Sequence, residues 1–176
     1  MLGGMASSTE SIRWADIKRD LKRYALVLGS IVVALWAIEI VSWVLPIDRY
    51  GVRPRQLDGL WGIATHFWLH GGVGHVLGNT IGLLTFGSMI VLKRERDLYV
   101  TMLAAAVFGG LGIWLFGRPA SNHIGASGVV FGLFGYLLSV GFFERKLGSI
   151  VLSVVVLLGW GGLLCARIPM PRWRSG

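Results

Sequence analysis

At 176 residues the chain is sized for one domain, for which about 150 residues is the common figure. Hydrophobic side chains make up 54% and charged ones 15%, against about 25% charged in soluble domains, which excludes an ordinary soluble globule and a disordered chain alike. The formal charge of +8 does not point to nucleic acid, because the 17 Lys and Arg fall almost entirely between apolar runs, and the single Cys165 excludes an internal disulfide.

In chain order, residues 1–23 read as a basic cytoplasmic tail, with Ile12, Trp14, Ile17 and Leu21 set among Lys and Arg in an amphipathic stretch suited to an anionic leaflet. The first apolar run, 24–45, lies between Lys22-Arg23 and Pro46. It is too long for a signal-peptide core and no small-x-small cleavage pattern follows, so it reads as a retained anchor. The connection 46–72 is not merely polar: Leu57, Leu60, Trp61, Ile63, Phe67, Trp68 and Leu69 recur at roughly helical spacing, as expected of a segment lying in the outer interface. Further runs at 73–92, 98–116, 124–143 and 147–166 are divided by Lys93 to Asp97, by Arg118-Pro119 and by Glu144-Arg145-Lys146, and 167–176 is a polar tail.

A hydrocarbon core of about 30 Å takes roughly 20 helical residues to cross, and backbone groups in lipid must be paired within the segment. The expected fold is therefore all-α, a polytopic membrane bundle of five transmembrane helices over residues 24–166. Ten Lys and Arg lie in the leading tail and the second and fourth connections, against seven on the other side, which predicts a cytoplasmic N-terminus. Gly78 and Gly82, and Gly128, Gly132 and Gly135, are expected to form close helix contacts.

Polar groups at membrane depth ask for a reason. Glu39 reads as a protonated or paired carboxyl. His75 and Asn79 stand four apart, on one helix face, and Ser127 opens the fourth run within Gly125-Ala126-Ser127-Gly128. In the predicted orientation all three lie at similar depth below the outer surface. A Ser flanked by glycines at a helix start can be approached closely, with neighbouring N–H groups available as donors, and a His and an Asn beside it could stabilise the oxygen that turns negative when a carbonyl is attacked. The competing readings are a Ser bonded to its own backbone and a His/Asn pair tying two helices. A metal site on His66, His70 and His75 is not expected, since only the first pair has one-face spacing and no acidic or Cys ligand is near; no cofactor is implied.

These residues resemble the rhomboid family of intramembrane serine proteases. The resemblance rests on His75-x-x-x-Asn79, on the preceding Thr65-His66-Phe67-Trp68-Leu69-His70, and on Gly125-Ala126-Ser127-Gly128, and it covers about residues 24–166. It implies that Ser127 is the nucleophile, that His75, Asn79 and the Ser127 N–H form an oxyanion hole, and that the partners are transmembrane protein substrates cut near their outer ends in a bacterial plasma membrane. Trp61-Gly62 departs from the family's Trp-Arg, and Phe131 stands where Tyr is common. The family's sixth helix, with a general-base His in an Ala-His-x-x-Gly run, has no counterpart before Gly176, because Arg167 to Arg174 cannot continue a span; His123 is a weak substitute. The expectation is a truncated rhomboid whose 176 residues are inactive, the alternative being a non-catalytic pseudoprotease that holds membrane helices.

Overall fold

The computed structural model describes residues 3–160, in five α-helices: α1 Gly3–Ser42, α2 Gly62–Thr65, α3 Val73–Phe116, α4 Ser127–Glu144 and α5 Leu147–Trp160. Short 3-10 turns at Ile47–Tyr50 and Leu57–Gly59 shape the connection ahead of α2. The protein is an all-α membrane bundle. Stretches Trp14–Ser42, Val73–Phe116 and Ser127–Glu144 are each long and apolar enough to cross a membrane. The last six residues of the expected fifth span, Cys165 and the polar tail lie outside the described residues.

Helix α3 holds two of the expected spans. Its backbone leaves helical geometry at Arg94 (φ −163°, ψ 106°), inside the charged run Lys93 to Asp97. Both of its ends meet the same loop. At the start, the His75 N–H bonds Gly72 O; at the far end, Trp114 Nε1 donates to Gln56 O at 2.9 Å and Trp114 O accepts from the Arg55 N–H at 3.0 Å. The two limbs of α3 thus run in opposite directions, turning at a cluster of charges that lipid would not accept. Helix α1 packs on the first limb through Leu28 and Leu35, which are buried with Leu83, Phe86 and Ile90, and Trp36 Nε1 donates to Thr80 Oγ1 at 3.1 Å. Leu26, Val33, Ile81 and Phe108 point outward, as apolar residues do when the solvent is lipid.

Close contacts divide the chain within α4, into residues 1–133 and 134–176. In the second unit Arg145, in the left-handed region at φ 50°, turns the chain between α4 and α5. Ser153 Oγ donates to Leu137 O at 2.7 Å and accepts from the Gly141 N–H at 2.9 Å, closing a helical hairpin.

The expectation about small residues needs correction. Gly82 does take Val130 against it, and Gly132 takes Ala105, but among the described residues Gly78, Gly128 and Gly135 have no neighbour close enough to be touched by a methyl group. Glu39 is buried, and its Oε1 accepts from Trp43 Nε1 of its own helix at 3.1 Å.

Candidate active site

The segment 122–126, just ahead of α4, is held by the loop 46–72 at four places. Asn122 Nδ2 donates to Asp48 O at 2.6 Å. His123 and Val52 exchange both backbone hydrogen bonds at 2.9 Å, an isolated antiparallel bridge. The Gly125 N–H donates to His66 O at 2.8 Å, and the Ala126 N–H donates to His70 Nε2 at 3.3 Å. Ser127 is the next residue and the first of α4, whose first turn closes through Val130 N–H to Ala126 O at 2.9 Å. The N–H groups of residues 125 and 126, read from the sequence as free donors beside Ser127, are therefore committed to the loop.

The loop carries this load because its own histidines are fixed. His66 Nδ1 bonds Gly62 O at 2.8 Å one turn back, and the ring is buried. His70 is fully buried; its Nδ1 faces Trp68 O at 3.3 Å, so its Nε2 is the lone-pair nitrogen that receives the Ala126 N–H. Burial pushes both imidazoles below their usual 6.5, the neighbouring His75 adding to the effect at His70, and both act as neutral rings. Asp48 is shifted the other way, its carboxyl raised by burial and then by Glu39.

His75 and Asn79 sit one turn apart on the first limb of α3 and face Gly125. A methyl group at Gly125 would fall 2.5 Å from His75 Cε1 and Nε2 and 3.5 Å from Asn79 Nδ2, and its φ of 117° belongs to glycine alone. His75 Nδ1 accepts a long bond from the Gly71 N–H at 3.4 Å, which leaves the ring proton on Nε2, the atom turned toward Gly125. Asn79 Nδ2 is buried and has no hydrogen-bond partner among the described residues. Two side-chain donors thus converge two residues before Ser127, one of them with nothing yet to bond, and such an unsatisfied buried donor costs about 1–3 kcal/mol. The His70 and His75 rings meet edge to face, centroids 5.1 Å apart, linking the clamp to the donors.

The four histidines of the chain are all accounted for. His66 and His70 support the loop, His75 faces Gly125, and His123 turns its Nε2 to Ser121 Oγ at 2.8 Å. No cluster of three potential metal ligands occurs among the described residues. The supporting roles of His66, His70 and His123 were missed by reading residues singly; the recurrence of His among aromatic residues just ahead of the second span was the available signal.

The described residues form a helical membrane bundle in which Ser127 opens α4 and His75 and Asn79, one turn apart on α3, face Gly125 two residues before it. Residues 57–172 match the family model described as Rhomboid domain, and the chain belongs to the rhomboid family. It is similar to the uncharacterized protein Rv1337 of Mycobacterium tuberculosis, 37% identical over 149 residues that cover 80% of this chain and 62% of that protein. It is also similar to the putative rhomboid protease YdcA of Bacillus subtilis, 32% identical over 146 residues covering 77% of this chain and 72% of the other. The rhomboid protease GluP of the same organism is 30% identical over 108 residues, 57% of this chain and 21% of its own length. The chain thus spans 62% of the length of the mycobacterial relative. No solved structure matches.

Proposed function

We propose that the chain carries the nucleophile and the oxyanion donors of an intramembrane serine endopeptidase that cuts transmembrane helices near their outer ends. The observation that carries this reading is the convergence of His75 Nε2 and the unpartnered Asn79 Nδ2 beside Gly125. In the proposed reaction Ser127 Oγ adds to a backbone carbonyl of the substrate helix. The carbonyl oxygen gains negative charge and takes N–H bonds from His75 and Asn79, each donor contributing about 10²–10³ in rate. The amine leaves with a proton and water then releases the acyl group from Ser127. Donors held by a packed helix need no reorganisation when the charge appears.

The Ser127 proton also needs an acceptor, and each of the four histidines has another contact in the arrangement described. The 176 residues on their own are therefore proposed to hold a transmembrane helix and not to cleave it, the binding-only reading being favoured for this stretch by that same accounting. Loss of one member of a Ser/His pair costs on the order of 10⁴–10⁶ in rate. A fluorophosphonate reagent applied to the chain in detergent tests both halves. Faint labelling is expected, rising when a sixth helix bearing His is fused after Gly176 and vanishing with Ser127→Ala. Strong labelling of the 176-residue chain would overturn the missing-base part. No labelling in the fusion, with folding intact, would overturn the nucleophile assignment.

A further inference from the structure

Between α1 and the second limb of α3, beneath the loop residues Ile63 to Trp68, lies an apolar cleft of about 460 Å³. Ile31, Phe67, Met102, Leu103 and Val129 are among its walls, and Leu103 is 67% exposed, so the cleft opens sideways on the surface that faces lipid. In a bilayer such a space neither holds water well nor stays empty. A transmembrane helix is about 10 Å across and would fill that volume with roughly one turn, so the cleft suits something thinner.

Its loop-distal end indicates what that is. Tyr99 lines the cleft and is hydrogen-bonded to Glu95, whose Oε2 holds Arg23 Nε at 2.9 Å. The ion pair fixes the guanidinium at one edge, and its side chain remains 67% exposed. Around it, residues 18–23 and 93–97 carry seven basic side chains against three acidic ones. This is the end that the charge distribution assigns to the cytoplasm, where the leaflet is anionic and basic sites between helices take lipid headgroups.

We propose that this cleft is a binding site for one anionic phospholipid, with an acyl chain along Met102, Leu103 and Ile31 and the phosphate on Arg23. The site does not involve Ser127 and stands apart from the protease reading. Arg23 acts as a planar donor held in place by Glu95, which favours a phosphate over a zwitterionic surface that repels as much as it attracts.

The test uses phosphatidylglycerol carrying a diazirine in the middle of its acyl chain, with a matching phosphatidylcholine, in nanodiscs containing the full chain. Photolysis is expected to mark peptides around 102–107 and 63–68 in preference to the outward face at Ile81 and Leu84. Arg23→Gln is expected to weaken phosphatidylglycerol retention through detergent exchange about fivefold, the value of one cation near an anionic surface, and to leave phosphatidylcholine unchanged. Ala106→Trp, which fills the cleft, should remove the preferred crosslinks. Uniform marking of all lipid-facing peptides in the unmodified protein would overturn the proposal whether or not the variant folds. Equal retention of the two lipids, or capture of a transmembrane peptide at 102–107 in place of lipid, would overturn it as well.

Discussion

At Asn79 a single atom bears on the proposed role. A helix tie would have its amide bonded to a neighbour; here Nδ2 is buried and unbonded, with Gly125 in front of it. In the fusion carrying a sixth helix with His, Asn79→Ala is expected to lower turnover of a transmembrane substrate by about 10²–10³ and to leave the melting temperature near that of the parent, with His75→Ala behaving alike. Paired thermal unfolding and initial rates decide it, since stability falling in step with activity would favour a tie. His70 makes a different prediction. Its Nε2 must stay unprotonated to accept the Ala126 N–H, and its folded pKa lies below the usual 6.5. Above 6.5 the folded and unfolded chains are both neutral at this site, and nothing is lost. As pH falls below 6.5 toward the folded value, the unfolded chain takes the proton first and stability drops. Melting temperature should therefore fall between about pH 7 and pH 5, and fall less in a His66→Gln/His70→Gln double variant; an unchanged slope would assign the loss to other groups.

At the scale of elements, the helices were the legible part of the chain. Lipid demands apolar runs of fixed length, and Lys93 to Asp97 marked the α3 turn because charge has to leave the bilayer. His75, Asn79 and Ser127 stood out for the same reason, polar side chains where polarity is costly. The loop's grip on residues 122–126 did not stand out, because it is made of hydrogen bonds with a backbone group on at least one side, between residues 56 or more positions apart, and such pairings leave no periodic trace. Nor did Gly62. A Cβ there would run into the backbone of Gly51 and Val52, so the departure from the family's Trp-Arg goes with a loop packed against itself at that point. Gly62→Ala is expected to destabilise by about 1–3 kcal/mol, and Gly62→Arg by more, as overpacking does. Denaturant titration in mixed micelles measures it, and a neutral Gly62→Ala would show that the loop yields there.

At the scale of the whole molecule, the charge distribution predicts an orientation. With the N-terminus inside, as the charge count predicts, and α1 continuous from Gly3 to Ser42, Trp14 at one end and Trp61 in the loop are expected on opposite sides. Both side chains are exposed, at 59% and 76%. With Cys165 replaced by Ala, an impermeant maleimide on intact cells is expected to label Trp61→Cys and to spare Trp14→Cys until the membrane is opened; the reverse pattern would invert the topology.

The four-point clamp has a consequence for the chain while it is being made. Its partners are residues 48, 52, 66 and 70 on one side and 122, 123, 125 and 126 on the other, so nothing local builds it. The hairpin of α3 has to enter the membrane between them before either side can find the other, and contacts of such sequence separation close late. A nascent chain that has threaded only α1 and the loop therefore contains no shaped site. The surroundings of Ser127, the proposed nucleophile, are therefore assembled only after α3 is in place.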